Sequence, residues 1–404
     1  MKKIFAIMSI MLMLHATASA QYDADTENGV VSLAGRDGFT WSSNSGDFVF
    51  KPYLLVQTSA NYNYYDDEGL DAAYNQDNVA NSGFAIPYAV LGFTGKAFGI
   101  VTYNLSINAA ASGGNLLQQA WADVKLCDEV AVRVGKFKTP FSHAILTTLG
   151  ETLMPSLPSS LTTPVIMPHS LNAVAPKIGT GFDLGVEVHG MIRDRWGYQA
   201  GIFNGTGAAV NGATKTFSDD WHIPSLLYAC RFTFQPKGVM PATQGNPRQL
   251  NLDRMLIGVS ASLNVESENE STNDFRAGAE FAWLKGRMYI GAELYYMRVG
   301  FTKRQKIHDS YSYTGGYIQG GYFITDRLQG ALRYDLMDRN GLDRGGLLNM
   351  PAAGINYFFK GCNLKLQAMY QYMGRVGHDS QLDRDNDNLG LAMHSGTVMI
   401  QYTF

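Results

Sequence analysis

The sequence predicts an all-β chain folded as a transmembrane antiparallel β-barrel of about 16 strands, with one loop turned inward as a constriction. Three observations carry that expectation: an export signal at the N-terminus, long segments whose hydrophobicity alternates with a period of two, and connections that alternate between tight and long.

The export signal is short and complete in its parts. Lys2 and Lys3 precede an apolar run from Ile4 to Leu14, and Ala18-Ser19-Ala20 sets small residues before Gln21. That is the form of a secretory signal peptide over residues 1–20, too short to anchor a chain in a bilayer. No cysteine follows the expected cut, which disfavours a lipid anchor. Past it stand 30 basic and 35 acidic residues, a balance that does not favour nucleic acid. The 22 tyrosines and 43 glycines are a heavy load for a soluble enzyme and suit a barrel with aromatic rims and close strand packing. No later stretch reaches the ~18 continuous apolar residues of a membrane helix. Residues 21–47, rich in Asp, Gly, Ser and Asn, are expected to form a flexible periplasmic leader, with the barrel spanning 48–404. Cys127, Cys230 and Cys362 show no C-x-x-C spacing, so neither a zinc site nor a disulfide framework is indicated; one disulfide between two of them is an open alternative.

The strands follow from period two. Val101, Tyr103, Leu105 and Ile107 alternate with Thr102, Asn104, Ser106 and Asn108. The same pattern runs through Phe182 to Val188, Leu226 to Phe234, Met255 to Val265 and Leu364 to Tyr372. Successive side chains on a strand point to opposite faces, so each segment has one apolar and one polar face. Soluble strands average about five or six residues, whereas a tilted strand crossing an outer membrane needs about ten; these segments have the second length. Starts are expected near Phe48, Phe84, Phe98, Leu116, Glu129, Ile178, Arg195 and Pro224, then Asp253, Asn273, Arg287, Tyr311, Arg327, Pro351, Asn363 and His394. Links such as Lys96-Ala97, Asp194 and Lys285-Gly286 are tight, whereas Asp66 to Gly83, Thr206 to Ile223 and Arg375 to Met393 are long and polar. Short periplasmic turns and long external loops are the habit of bacterial barrels. The link from Pro236 to Leu252 is long where a tight turn is due, which keeps 14 or 18 strands open. The last strand, Val398 to Thr403, closes on Phe404 in register, like the terminal segment of outer-membrane barrels.

Thr139 to Lys177 is the odd segment. It holds Pro140, Pro155, Pro158, Pro164, Pro168 and Pro176, which no long strand could carry. It is also apolar, with Glu151 and the terminal Lys177 its only charges. A loop of this composition must pack on something, and folding inward against the wall meets that need while narrowing the channel. A cap over the mouth or a subunit contact is the alternative.

Here the residues resemble a known family. Val132-Arg133-Val134-Gly135-Lys136-Phe137-Lys138-Thr139-Pro140-Phe141-Ser142 is similar to the block before the third loop of the phosphate-selective porin O and P family. Leu91-Gly92-Phe93-Thr94-Gly95-Lys96 and Gly201-Ile202-Phe203-Asn204-Gly205 resemble two further blocks. The resemblance implies a 16-stranded, usually trimeric channel in the cell outer membrane. It also implies that members taking phosphate use a ladder of arginines and lysines at the constriction. This chain departs from that pattern, with Pro87-Tyr88 where relatives carry adjacent arginines.

The candidate pore-lining and selectivity residues are Lys136, Lys138, Lys177, Arg231, Arg333 and Lys365, diluted by Asp183 and Glu187. Asp383-Arg384-Asp385-Asn386-Asp387 has a calcium-loop rhythm but lacks its turn glycine, so a solvated acidic loop is expected. The histidines show no metal spacing, and no grouped nucleophile and base points to an enzyme. No metal or cofactor is expected. The function expected is passive diffusion of small hydrophilic solutes or ions, anions such as phosphate among them; a non-conducting structural or surface-binding barrel is the alternative. Expected partners are outer-membrane lipid, lipopolysaccharide and two further copies of the chain.

Overall fold

The computed structural model describes residues 30–35, 38–66, 80–111, 116–162, 181–207, 211–212, 224–248, 251–265, 272–301, 310–338, 347–375 and 392–404. The signal peptide, residues 21–29, Lys177 and the acidic segment 383–388 lie outside them. Two short strands, β1 (Val30–Gly35) and β2 (Gly38–Ser43), come first. Then follow β3 (Val49–Asp66), β4 (Ala80–Ala97), β5 (Val101–Asn108), β6 (Leu117–Lys125), β7 (Ala131–Lys138), β8 (Phe182–Ile192), β9 (Trp196–Phe203) and β10 (Leu227–Phe234). The second half holds β11 (Asp253–Asn264), β12 (Thr272–Lys285), β13 (Met288–Phe301), β14 (Ser310–Phe323), β15 (Leu328–Asp338), β16 (Leu347–Phe358), β17 (Leu364–Arg375) and β18 (Ala392–Thr403).

From β3 onward each strand pairs antiparallel with the next, and β18 returns to β3 from Ala392↔Asp66 to Thr403↔Leu55. The sheet is therefore a closed barrel of sixteen strands, starting within a few residues of the expected positions. Closure leaves no edge, which hydrocarbon requires because it offers the backbone no other partner. Two prolines inside strands sit at faults in the ladder. Pro87 lies where the β3–β4 register slips between Gln57 and Ser59, and the β16–β17 ladder is interrupted at Pro351, which has no N–H to give. At the end carrying the tight turns, Arg193 and Asp194 both take φ of 53°, the sense of twist that a tight hairpin needs.

Residues 30–43 correct the expectation of a strandless leader. β1 and β2 form a hairpin, and β2 continues onto β3 through Trp41↔Phe50 and Ser42↔Val49. Val31-Ser32-Leu33 and Phe39-Thr40-Trp41 do alternate, but over too few residues to stand out from the Asp, Gly and Ser around them. Contact makes up the difference: Trp41 stacks on Phe50 with centroids 5.8 Å apart, and Phe39 meets Phe404 edge-on at 6.3 Å.

The two faces of the barrel are inverted relative to a soluble protein. Leu294, Leu332, Val259 and Ile318 are exposed, at 68, 68, 56 and 55 % of their full surface. Their inward neighbours are the buried ones: Glu293, Arg333, Ser260 and Gln319. Lipid is the only solvent that rewards this arrangement. Val259 sits mid-strand on the outer face, so Val259→Arg should cost about 2–4 kcal/mol of folding stability in lipid vesicles, measured by urea unfolding. A cost near zero would mean that this face does not meet acyl chains.

Candidate functional site

The lumen is organised by the segment after β7, described from Thr139 to Thr162. Thr139 still bonds across to Gly181, its N–H donating to the carbonyl at 2.9 Å. Pro140 then ends the ladder, and the chain turns inward. Ser142, with φ of 64°, accepts from the Ile145 N–H at 3.2 Å and starts the short helix α1 (His143–Leu146). A carboxylate of the wall holds this helix: Glu293 on β13 accepts from the Ala144 N–H at 2.8 Å and from the hydroxyls of Tyr295 and Tyr317, each at 2.9 Å. Phe141, Ala144, Ile145 and Leu161 pack with those two tyrosines in one buried cluster.

Further along, the loop's carbonyls are met by donors from the inner wall. Gly150 accepts from Gln401 at 3.0 Å, Thr152 from Lys365 at 3.3 Å, Leu153 from Asn356 at 2.9 Å, and Ser156 from Arg333 at 2.7 Å. Helix α2 (Ser159–Leu161) is fixed by Asp335, which accepts from the N–H groups of Ser159 and Ser160 at 2.5 and 3.2 Å. This described part thus lies across β13 to β18. The rest of the expected loop, 163–177, is outside the described residues.

The long link between β10 and β11 meets this loop from the opposite end. Its described parts are residues 235–248 and 251–252. The Thr148 N–H donates to Ala242 and the Gln244 N–H to Glu151, both at 2.9 Å. His143 donates from Nε2 to the Thr243 carbonyl at 3.2 Å, and Arg248 pairs with Glu151 at 2.7 Å. Met240 joins Leu153, Met154, Leu256, Leu284 and Tyr289 in a buried cluster. Gly245 takes φ of 77°, which favours glycine, and a β-carbon there would stand 2.7 Å from Leu153 Cδ1, so loop and link are in close contact. The link that broke the alternation of turn lengths is long because it enters the barrel.

Among the described residues, two cavities lie on the β3 to β10 side. The first, about 480 Å³, is lined by Lys51 and Tyr53 from β3, Trp121 from β6, Arg133 and Lys138 from β7, Phe182, loop residues from Leu146 to Glu151, and Arg248. The second, about 430 Å³, lies toward the tight turns and is lined by Asp123, His189, Gln199 and Arg231 among others. Between them runs a polar belt around the wall. Asp123 accepts from Arg133 at 2.7 Å and from His189 at 2.8 Å; Gln199 reaches Glu187 at 3.4 Å and accepts from Arg231 at 3.0 Å; Arg231 pairs with Glu280 at 2.7 Å. Cross-strand register builds it, with Asp123 opposite Arg133 opposite Glu187, and His189 opposite Gln199 opposite Arg231.

The candidate residues therefore do not form one ring. Lys138 lines the first cavity, its ammonium donating to the Thr147 carbonyl at 2.7 Å, and Arg231 lines the second. Arg333 and Lys365 lie beneath the loop and hold its carbonyls. Lys136 is buried and donates to Asn211 at 2.8 Å; Asp183 accepts from the Gly205 N–H at 2.7 Å; Glu187 belongs to the belt. Lys51, Arg133, Glu151 and Arg248 were not among the candidates. Strand parity alone, counted from Val132 and Val134 on the outside, would have turned Arg133 inward. Arg248 needed knowledge that its link enters the lumen.

A closed sixteen-stranded barrel, an inward loop after its fifth strand and the Gly135 block before that loop together describe a porin. A family model described as phosphate-selective porin O and P matches residues 56–404. The chain belongs to this family. It is accordingly a channel of the outer membrane for small hydrophilic solutes. Among solved structures, an anion-selective porin from Comamonas acidovorans has the same fold, with a TM-score of 0.59 and 10 % identity over 88 % of this chain and 100 % of its own. The outer-membrane channel DcaP of Acinetobacter baumannii gives 0.54 and 11 % over 90 % of this chain and 99 % of its own. A trimer form of OmpT from Vibrio cholerae gives 0.50 and 10 % over 88 and 99 %. No curated protein matches the sequence. The glycine of the family block has a local reason: Gly135 takes φ of 129°, and a β-carbon on it would stand 2.1 Å from the Ala120 carbonyl oxygen.

His143 couples this porin's loop to its link in a way that pH should reveal. Burial lowers its pKa from the usual 6.5 to about 4, with Glu280 opposing the shift and Arg231 adding to it. A released loop takes up a proton below the ordinary histidine pKa, whereas the packed loop does not until about pH 4. The packing free energy is therefore whole above the higher value and falls as pH drops toward the lower one. Open-channel current noise should rise between pH 6.5 and 4 in the wild type, and His143→Gln should lack that step. Matching noise profiles in the two proteins would show that His143 does not couple loop and link.

Proposed function

We propose that this porin is a trimeric diffusion pore with a modest preference for anions, working without chemistry. The observation that supports this is the charge of the first cavity, whose basic side chains Lys51, Arg133, Lys138 and Arg248 stand against the acid Glu151. Lys51 and Lys138 have no carboxylate partner among the described residues, so their positive potential is free to act on a passing ion. A cavity with low-dielectric walls concentrates that potential. The anion-selective title of the Comamonas porin and the trimer form of the Vibrio protein are in keeping with both parts of the reading. On this reading residues 1–20 are removed on export, residues 48–404 form the barrel, acyl chains coat its apolar wall and lipopolysaccharide meets its external rim. Arg333 and Lys365 act on selectivity only indirectly, by fixing the loop that sets the bore.

The loop is the narrowing element, so deleting Leu153 to Met167 should raise single-channel conductance in a planar bilayer. Unchanged conductance would mean that the loop does not limit flow. In a potassium chloride gradient the wild-type reversal potential should lie on the chloride side, and Lys138→Glu should move it toward potassium. A wild type that favours potassium would overturn the anion reading.

A further inference from the structure

We propose that the first cavity is a transient binding site for organic anions with an apolar body, above all aromatic monocarboxylates, in preference to compact inorganic anions. The proposal rests on the anion preference argued above and narrows it to a chemical class.

The starting point is how few of the cavity's cations are at liberty. Arg133 spends both arms of its fork on one acid, donating from Nε at 3.1 Å and from Nη2 at 2.7 Å to Asp123. Arg248 donates from Nε to Glu151 at 2.7 Å. The Arg133 fork, the geometry that best holds a multivalent oxyanion, is thus already taken, and the Arg248 charge already faces a carboxylate. Two ammonium groups remain, Lys51 and Lys138, and the second also serves the Thr147 carbonyl. Stripping a phosphate dianion of water requires several convergent donors and charges, which this set does not supply. One carboxylate, singly charged and less strongly hydrated, asks for one or two.

The walls complete the match. Trp121 lies under the Arg133 guanidinium at 4.5 Å, and the Phe182 ring lies 5.7 Å from the Lys138 ammonium. Tyr53, Leu55, Leu146 and Leu149 add apolar surface from β3 and from the loop. Rings therefore stand beside positive charge, the pairing that receives a flat apolar body with an anionic head. The volume, about 480 Å³, lies in the range of small-molecule sites, and the second cavity shows the contrast: its cations Lys125 and Arg231 are paired with Asp128 and Glu280. Ring contacts of this kind are individually weak, so the solute can leave again, as conduction demands.

The test uses the full mature porin in planar bilayers carrying a chloride current, titrated with benzoate, acetate or phosphate. Benzoate should reduce the current saturably, with half-block at about one-tenth the concentration needed for acetate or phosphate, the scale expected of one or two ring contacts. Trp121→Ala should bring benzoate to the level of acetate. Phe182→Leu, which keeps an apolar side chain of moderate size, supplies the same comparison if Trp121→Ala does not assemble. Equal block by benzoate and acetate, or stronger block by phosphate, overturns this inference with the anion reading intact. A reversal potential on the potassium side overturns the anion reading itself.

Discussion

Every backbone polar group within the hydrocarbon layer must be bonded to another strand, and this constraint forces the remaining choices. A sheet that obeys it has to close, and a closed sheet has an inside. Apolar side chains then take the outer face, as Leu294 and Leu332 do, while their chain neighbours Glu293 and Arg333 turn in. An interior that collects charges by exclusion cannot pack like an ordinary core. The chain settles this by splitting the lumen. Over β13 to β18 the polar wall is covered by a loop whose carbonyls and helix ends satisfy it, and over β3 to β10 the described residues line two cavities.

That division gives the buried charges of the covered half a reason to exist. Asp335 and Glu293 would be costly alone in a dry place. Each instead accepts backbone N–H groups at the start of a short helix, Asp335 from Ser159 and Ser160, Glu293 from Ala144. Arg333 does the reverse and gives its protons to the Ser156 carbonyl. The loop supplies amides for acids and carbonyls for bases, so its irregular backbone is bonded without any strand to pair with. Its side chains meet the other need, with Phe141, Ile145 and Leu161 filling space against the inward tyrosines Tyr295 and Tyr317.

Much of the fold was legible because period two is a direct image of strand geometry, and a membrane makes the strands long enough to show it. The inward loop was legible for a different reason: six prolines forbade a strand, and its apolar residues forbade open water. What escaped the sequence has a common cause. The hairpin at 30–43 is held by contacts with Phe50 on the next strand and with Phe404 at the far end of the sequence, which no local pattern announces. Arg248 reaches the pore only because its link folds upward, and the sequence showed the link's length without showing its direction. Arg133 was readable from parity, yet it stands in the same block as Lys136 and Lys138, whose charges are as conspicuous.

The meeting of loop and link is where the two halves of the lumen depend on each other. Glu151 receives the Arg248 guanidinium on its side chain and the Gln244 N–H on its carbonyl, so one residue of the loop is tied to the link twice. Gly150, beside it, is tied to the wall through Gln401. The rim of the open cavity is thus built from three directions: a strand, an external loop and a periplasmic link. None of these is a rigid platform alone, and each is fixed by the other two. A bore made this way keeps its diameter because any one element can move only by breaking bonds to both neighbours.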